Sequence, residues 1–412
     1  MGGSDQVRDD FEGCFEGLAA IGRDPAGGWT RLAWTEEDRA ARRWFQTEAE
    51  ARGLAVERDQ AGNLWAWWGA AAARDGALAV GSHLDTVRGG GAYDGALGVV
   101  GGLVAVAELA RRGVAPRRPV AVVAFADEEG GRFGTATFGS RVLAGALDPA
   151  EVLDRTDQAG VSLAKAVQDA GLDPRSLGPD PDRLASLAAF VELHVEQGRG
   201  LADHDAPVGL GTAIWPHGRW RLTLTGEANH AGTTRLKDRR DPMLGLAAAT
   251  LAARAAAAEL GAVATIGRVM VEPNSTNSVP GRVIAWLDAR AERDQVLDWL
   301  LTAFETAVGD AAGRHGLEAE LAGESRSPAV AFDRDLAAKV AGCLRGGGLE
   351  PVELPTAAGH DAGALAAAVP AAMLFVRNRS GTSHSPAEHA EQADCLAGVA
   401  ALAAVIEELA CR

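Results

Sequence analysis

The first half of the chain alternates between helical periodicity and short apolar runs. Residues 35–52 form an amphipathic pattern with Thr35 as a candidate N-cap, which predicts a helix. Residues 77–80 and 120–126 are continuous apolar runs of the kind found in buried parallel strands, and 97–109 between them predicts a crossover helix. This order of elements predicts an α/β sheet with helices on both faces.

The middle of the chain has the alternating pattern of half-exposed strands. The predicted elements, in chain order, are strand 220–225, helix Pro242–Leu260, strands 262–271 and 282–290, helix 295–313 and strand 317–321. That order is the split βαβ arrangement of a ferredoxin-like α+β domain. The first pattern then returns, with a helix at 333–345 and a strand at Ala371–Val376. We therefore predict an α/β domain at 1–208 and 327–412, interrupted by an inserted domain at 209–326.

Composition is that of an ordinary globular protein. The chain has 412 residues, 47% of them hydrophobic and 23% charged, and a formal net charge of −16 at pH 7. No run of lysine and arginine is long enough to form a nucleic-acid patch against that charge. The four cysteines form no C-x-x-C pair, which argues against a disulfide framework or a zinc ribbon.

The same sequence features favour a cytoplasmic location. The first ten residues are acidic and polar and lack the basic-then-apolar pattern of a signal peptide. The most apolar stretch, 96–107, is too short to span a membrane. Reduced cysteines are the simpler interpretation of the four thiols. We therefore predict a cytoplasmic protein with neither membrane nor nucleic-acid partners.

The segment GSHLDTV places His83 and Asp85 directly after a predicted strand. Ligands of open α/β sheets bind at the carboxyl ends of strands, and the H-x-D spacing puts both side chains on one side of the backbone. A carboxylate beside an imidazole can accept its second N–H and fix the tautomer that binds a metal. A polar strand end with a local hydrogen bond explains the pair equally well.

Acidic residues follow two other predicted buried elements. Asp94 lies in a glycine-rich loop, where it is either a helix N-cap or a carboxylate that bridges two cations. Asp127, Glu128 and Glu129 follow the apolar run 120–126. Three adjacent acids at a buried strand end repel one another, and a nearby cation would turn that repulsion into binding.

Two further histidines complete a set of possible metal ligands. His194 lies in ELHVEQG and His384 in SGTSHSPAE, and either one alone would more often be structural. The case for a metal therefore depends on the whole set, which is His83, Asp94, Glu129, His194 and His384. Imidazoles and carboxylates without a thiolate suit Zn²⁺, Mn²⁺, Co²⁺ or Ni²⁺.

Eight segments together resemble the M20-type metallopeptidase superfamily. They are GSHLDTV, YDGALGV, DEEGGRFG, ELHVEQG, GEANHAGTT, NSTNSVPGRV, AGHDA and SGTSHSPAE. More narrowly, they resemble the amidase/hydantoinase/carbamoylase branch, which includes N-carbamoyl-L-amino-acid hydrolases and allantoate amidohydrolases. The resemblance implies a zinc-peptidase-like catalytic domain, in which helices flank a mixed sheet. It also implies that the inserted ferredoxin-like domain is a lid that forms a homodimer.

The resemblance implies two divalent metal ions, Zn²⁺ or Mn²⁺ with Co²⁺ or Ni²⁺ as alternatives. Asp94 would bridge them, His83 and His194 would complete one ion, and Glu129 and His384 would complete the other. Two such metals can share a water and lower its pKa towards neutrality.

Other residues match positions around the metals. Glu128 matches the family's general base, which takes the proton from water and returns it to the leaving nitrogen. Asp85 would orient His83. His360 and Asp361, in AGHDA, would support the metal ligands from behind, although a purely structural pair is an open alternative.

The family pattern also names five substrate-binding positions, which are Gln197, His230, Asn277, Arg290 and the backbone at Gly359. His230 matches the histidine that stabilises the oxyanion of the tetrahedral intermediate. A bidentate Arg290 would suit a substrate carboxylate. Without the resemblance, a surface salt bridge from Arg290 to Asp288 or Glu292 would be the preferred interpretation. At residues 376–380 the chain departs from the family pattern, and there Arg377 or Arg379 would meet a second anionic or polar group.

These positions together predict an amidohydrolase that cleaves the linear C–N bond of a small ureido substrate with a carboxylate, such as allantoate or an N-carbamoyl-L-amino acid. Metal-bridged hydroxide would attack, with Glu128 as the base. An N-formyl or N-acyl amino acid amidohydrolase, or a dipeptidase, is the alternative, and His194 argues against the dipeptidase. A non-catalytic binding protein on the same fold is less compatible with the sequence, because no ligand and no base is missing.

Overall fold

A computed structural model describes residues 3–69 and 74–412. Residues 1 and 2, which belong to the N-terminal segment examined for a signal peptide, and residues 70–73 lie outside the described part. The chain divides into two units, Met1–Thr212 with Ala331–Arg412, and Ala213–Val330. The second unit interrupts the first along the sequence.

The strands are numbered in chain order. They are β1 (Ala55–Arg58), β2 (Leu64–Trp68), β3 (Ala77–His83), β4 (Val120–Phe125), β5 (Leu187–Val195), β6 (Val208–Ile214), β7 (His217–Thr225), β8 (Asn229–His230), β9 (Val263–Glu272), β10 (Ser278–Val279), β11 (Arg282–Arg290), β12 (Glu318–Ser327), β13 (Val330–Ala331), β14 (Val352–Thr356) and β15 (Ala371–Val376).

The helices are numbered in the same way. They are α1 (Gly3–Ala19), α2 (Glu36–Ala51), α3 (Ala96–Arg111), α4 (Phe138–Leu143), α5 (Leu163–Asp169), α6 (Pro181–Ser186), α7 (Gly200–Asp203), α8 (Pro242–Leu260), α9 (Asp294–His315), α10 (Arg334–Gly346), α11 (Asp361–Leu365) and α12 (Gln392–Ile406). Thr35 caps α2 by accepting the N–H of Asp38, as its position in the sequence predicts.

The larger unit contains a mixed sheet in the order β1-β2-β4-β3-β5-β15-β6-β13, with β14 paired to β6. Its four central strands, β4, β3, β5 and β15, run parallel, whereas β2 and β6 pair with them in the antiparallel sense. Since parallel strands share a direction, the carboxyl ends of β3, β4, β5 and β15 lie at one edge. This mixed sheet, flanked by helices, confirms the predicted fold class.

Close packing of α3 on the sheet requires glycine. A Cβ atom at Gly98 would lie 2.2 Å from the carbonyl oxygen of Leu193 on β5, so no larger residue fits there. All eleven residues of α3 from Ala96 to Val106 are buried, and the helix packs on β3, β4 and β5. The start of α3 is therefore fixed beside the edge where these strands end. The loop that carries Asp94 precedes this helix.

The smaller unit has the order β7-α8-β9-β11-α9-β12, with an antiparallel sheet in the order β12-β7-β11-β9. This is the topology of a ferredoxin-like domain. Alternate residues of the strands, such as Leu222, Leu224 and Val283, are buried against α8 and α9. β12 continues beyond the predicted 317–321, because it pairs with β7 as far as His217 across a bulge.

One helix of the described residues, α8, is long and apolar enough by composition to cross a membrane. Its residues Leu246, Ala249 and Ala253 belong to the core of the smaller unit, where they pack with β7 and β11. We therefore interpret α8 as a core helix of this unit.

Candidate active site

Five predicted ligands meet at the carboxyl edge of the parallel strands in the larger unit. His83 is the last residue of β3, His194 lies near the end of β5, and Glu129 follows β4. Asp94 precedes α3, and His384 lies beyond the end of β15. The neighbouring strands thus bring together side chains that are up to 301 residues apart, from 83 to 384, in the sequence.

His83, Asp94 and His194 form a buried group, with ligand atoms within 4.8 Å of one another. Oδ1 of Asp94 lies 3.5 Å from Nε2 of His83 and 3.2 Å from Nε2 of His194. Both histidine side chains are 1% exposed. We call these three residues the buried group.

Main-chain contacts set the orientation of both imidazoles. Nδ1 of His83 lies 3.0 Å from the carbonyl oxygen of Asp85, and Nδ1 of His194 lies 2.8 Å from that of Val195. Because a carbonyl only accepts, each Nδ1 carries a proton, and the lone pair of a neutral ring is then on Nε2, the nitrogen that faces Asp94. The amide of Gly95 donates to Nε2 of His194 at 3.2 Å, which agrees with this tautomer.

The carboxylate of Asp85 does not orient His83 in the way that the sequence predicts. Its carboxylate lies 3.7 Å from Nδ1 of His83, and the ring instead bonds the main-chain oxygen. The two carboxylate oxygens accept the amide N–H groups of Glu128 and Glu129, each at 3.1 Å. Asp85 therefore positions the acidic loop, while its carbonyl orients His83.

Asp94, Glu129 and His384 form a second set of atoms within 4.8 Å, which we call the open group. Nε2 of His384 lies 3.2 Å from Oε2 of Glu129 and 3.5 Å from Oδ2 of Asp94. The side chain of His384 is 51% exposed, and its φ of 52° is left-handed, a conformation that non-glycine residues adopt rarely. The two groups share Asp94 through its separate oxygens.

The charges of the cluster suit divalent cations. Burial acts to raise the pKa of Asp94, but His194 and His83 outweigh it and hold that pKa well below its ordinary value. Burial, and then the charge of Asp94, raises the pKa of Glu129, whose Oε1 has no hydrogen-bond partner within the described part of the chain. Three imidazoles and two carboxylates, one of which has a buried oxygen with no partner among the described residues, make a donor set that fits Zn²⁺ or Mn²⁺.

Glu128 lies beside the buried group without belonging to either set. Its Oε2 is 3.7 Å from Nε2 of His83. Burial raises the pKa of Glu128 well above its usual range, the charge of His83 opposes this, and Asp361 and other carboxylates add to it. A carboxyl group that holds a proton more tightly than usual is suited to accept one and return it.

Gln197 is the one predicted substrate-binding side chain that the structure places against the ligands in the larger unit. Its Nε2 donates to Oδ2 of Asp94 at 2.9 Å and to Oγ of Ser383 at 3.1 Å. Gly359 is exposed, and a Cβ there would meet no atom within 4 Å. Its backbone is thus open to a ligand.

The other predicted substrate residues lie in the smaller unit. Strand β8 pairs with β10, and the amide of Ala231 donates to the carbonyl of Asn277 at 3.0 Å, so His230 and Asn277 are neighbours. Nδ1 of His230 accepts the amides of Gly232 and Thr233 at 2.9 and 3.1 Å. The proton of a neutral His230 is therefore on Nε2, where it can be donated to an oxyanion.

Two arginines that were expected to bind the substrate form ion pairs with aspartates in the structure. Arg290 makes two contacts with Asp288, at 2.8 and 3.2 Å, which is the salt bridge considered as the alternative above. Arg377 was expected to meet a second anionic group, but it is buried in a bidentate pair with Asp394 and also contacts Asp205. Because its guanidinium is occupied, that expectation is wrong for Arg377.

Sequence reasoning missed the role of Glu388. Its Oε1 accepts the amides of Tyr93 and Asp94, each at 3.0 Å, and its Oε2 accepts the hydroxyl of Ser383 at 3.1 Å. Glu388 thus connects the loop of Asp94 to the loop of His384. The sequence signal that could have indicated this role is that Glu388 lies in SGTSHSPAE, the same segment as the predicted ligand His384.

His360 and Glu192 lie behind His194. The rings of His360 and His194 are 4.5 Å apart and meet edge to face, and neither ring nitrogen of His360 has a hydrogen-bond partner in the described residues. Glu192 forms a third candidate ligand set with these two histidines. Its oxygens, however, already accept the hydroxyl of Ser82 and the amide of Ala362.

Comparison with known proteins agrees with this geometry. Residues 79–408 match the model of peptidase family M20/M25/M40. The chain is 39% identical over 400 residues to an N-carbamoyl-L-amino acid amidohydrolase of Geobacillus stearothermophilus, covering 95% of this chain and 96% of that protein. It is 33% identical to the allantoate amidohydrolase of Bacillus subtilis, covering 98% of both.

A solved structure supports the same conclusion. The amidase of the hydantoinase/carbamoylase family from Burkholderia vietnamiensis superposes with a TM-score of 0.87 at 32% identity, and 98% of each chain is covered. The chain therefore belongs to peptidase family M20/M25/M40, and it is a hydrolase of the amidohydrolase type.

Proposed function

We propose that this protein is a metal-dependent amidohydrolase that cleaves the linear C–N bond of an N-carbamoyl (ureido) amino-acid-like substrate. One observation carries the proposal, namely that the buried and open groups share Asp94 while the carboxyl group of Glu128 lies beside them. His83 and His194 would hold one divalent cation, and Glu129 and His384 the other. When bound, such cations polarise a carbonyl and acidify water.

The chain's own residues supply the remaining chemistry. Glu128 takes a proton from the attacking water and passes it to the leaving nitrogen, so that the C–N bond breaks and a neutral amine departs. His230 is proposed to donate its Nε2 proton in a hydrogen bond to the developing oxyanion. Gln197, Asn277, Arg290 and the backbone of Gly359 are proposed to bind the substrate, Arg290 through its carboxylate.

The names of the relatives support a ureido substrate. The proteins from Geobacillus stearothermophilus and Bacillus subtilis are named for N-carbamoyl-L-amino acids and allantoate. Hydrolysis of such a ureido group releases the amine, ammonia and carbon dioxide. Arg377 is paired with Asp394. Of the two arginines predicted to bind a second anionic group of the substrate, this leaves Arg379.

Replacing Glu128 with Gln tests the mechanism. We expect Glu128→Gln to lower kcat about 10²- to 10⁴-fold, because proton transfer is lost, while metal content stays at the wild-type value. Ammonia release would be measured with allantoate, N-carbamoyl-L-glutamate and N-carbamoyl-L-methionine, and formate release with N-formyl-L-glutamate, which has no ureido group. Near-normal turnover by the variant would contradict the role of Glu128. Preference for the formyl compound, measured by formate release, would contradict the ureido substrate.

We also propose that the protein is a homodimer joined through the smaller unit. β9 is an edge strand of that unit, and its side chains Val263, Val269 and Met270 are exposed. An exposed edge strand with apolar residues is ready to pair with another strand. Sedimentation analysis of Val269→Glu should show a shift from dimer to monomer, and a monomeric wild-type protein would contradict the proposal.

A further inference from the structure

An arginine-lined cavity of about 180 Å³ lies beside α2 in the larger unit. None of its lining residues belongs to the buried or open group. The residues that line it are Trp34, Asp38, Arg39, Arg42, Arg43, Gln46, Arg58, Gly62, Leu64, Ala170 and Leu172. Four guanidinium groups therefore meet in one small cavity of a chain whose net charge is −16.

Two of these arginines are held by neutral groups. Arg42 donates to the carbonyl of Gly62, and Arg58 donates to the carbonyls of Ala170 and Gly171, the latter at 2.8 Å. Neither makes a salt bridge within the described residues. Main-chain carbonyls orient a guanidinium without cancelling its charge. The like charge of Arg42, after burial, lowers the pKa of Arg58, so the two cations lie near each other.

The remaining charges leave the cavity positive. Arg39 and Arg43 both contact Glu36, at 2.9 and 2.6 Å. The one carboxylate in the lining, Asp38, accepts the amide of Trp34 at 2.8 Å. Asp59, whose charge also acts on Arg58, lies outside the lining. Four cations thus face three carboxylates.

Trp34, one of the lining residues, carries a buried donor without a partner in the described part of the chain. Trp34 is 3% exposed, and its indole Nε1–H has no hydrogen-bond acceptor among the residues that the structure describes. A buried unsatisfied donor is costly, and its φ of 65° adds a strained backbone at the same residue. This nitrogen has almost no accessible surface, so the arginines, and not Trp34, supply the donors that a ligand in the cavity can reach.

We propose that this cavity binds a small phosphate-type dianion, either inorganic phosphate or a phosphate monoester. Planar guanidinium forks match the oxygens of phosphate in pairs, and Arg42 and Arg58 have donors left for this purpose. The apolar walls formed by Leu64 and Leu172 fit a short organic group on a monoester. This site is independent of the proposed amidohydrolase activity.

Isothermal titration of the metal-loaded enzyme with inorganic phosphate tests the proposal. The wild type should bind phosphate saturably, and the double variant Arg42→Gln/Arg58→Gln should lose that site or bind at least 10-fold more weakly. Arg175→Gln is the matched control, because Arg175 is exposed, pairs with Asp173 and does not line the cavity, so binding should be unchanged. A parallel titration with phenyl phosphate distinguishes inorganic phosphate from a phosphate monoester as the ligand. Tighter binding of phenyl phosphate than of inorganic phosphate would identify a monoester.

Two results would overturn the proposal. One is the absence of saturable phosphate binding to the wild type. The other is equal binding by the wild type and the double variant, which would place the phosphate at the metal ligands instead. If loss of the contact between Arg42 and Gly62 prevents folding, Arg58→Gln alone provides the test, because Arg58 lies at the surface. Circular dichroism without phosphate verifies that each variant is folded.

Discussion

The buried and open groups are built from the same kinds of side chain in different surroundings. In the buried group, His83 and His194 lie on adjacent parallel strands, and main-chain carbonyls hold their rings. In the open group, His384 comes from a loop, and half of its side chain is exposed. A strand fixes its side chains through the sheet, whereas a loop needs side-chain contacts to do the same.

Because of this difference, we expect the two groups to hold their cations with different affinities. The buried group has both Nε2 atoms aimed at Asp94 before any cation arrives, so little movement of the side chains is needed for binding. The open group depends on Glu388 and Ser383 to keep His384 near Asp94. We therefore expect the buried group to bind its cation more tightly than the open group.

The largest effect should follow from replacing Asp94, which belongs to both groups. Asp94→Ala removes the shared carboxylate, so both proposed cations should be lost and kcat/KM should fall at least about 10³-fold, or about 4 kcal/mol. Metal analysis and ammonia release measure this. Asp203→Ala is the control, because Asp203 is exposed and lies outside the cluster. Full metal content in Asp94→Ala would show that the groups do not share it.

Variants of single histidines should separate the groups. His384→Ala should retain one equivalent of cation, whereas His83→Ala should lose the more tightly held one, because only the buried histidine is oriented by the main chain. Titration of the wild type with EDTA, followed by metal analysis, should show release in two steps. Release in one step, or longer retention by the open group, would contradict the comparison.

A smaller effect should follow from replacing Glu388, which contacts no proposed cation. The two carboxylate oxygens of Glu388 accept the amides of Tyr93 and Asp94 and the hydroxyl of Ser383. Glu388→Gln replaces one of these oxygens with an NH₂ group, which cannot accept a hydrogen bond. The affinity for the cation of the open group should fall about 10- to 100-fold, as for other residues that orient ligands. Glu391→Gln is the control, because Glu391 is exposed and lies three residues away. An unchanged affinity would show that the loop of His384 holds its position without Glu388.

Local sequence patterns predicted much of the fold. The bounds of α8, β11 and β15 agree with the sequence prediction, because apolar periodicity and helix caps act within a few residues. The family match likewise agrees with the motif resemblance. The length of β12 was underestimated, since its outer half is exposed and polar and is specified by pairing with β7.

The sequence by itself determined which residue types follow each apolar strand, and it therefore indicated His83, Asp94, Glu129, His194 and His384 as one set. Only the tertiary structure decided the partners of each side chain. Arg377 bonds Asp394 instead of remaining available to a substrate, and the amide of Asp94 bonds Glu388 from 294 residues away. The physical reason is distance along the chain. Hydrophobic periodicity reports on neighbours in sequence, whereas buried charges are satisfied by whichever group the packed strands and loops bring close.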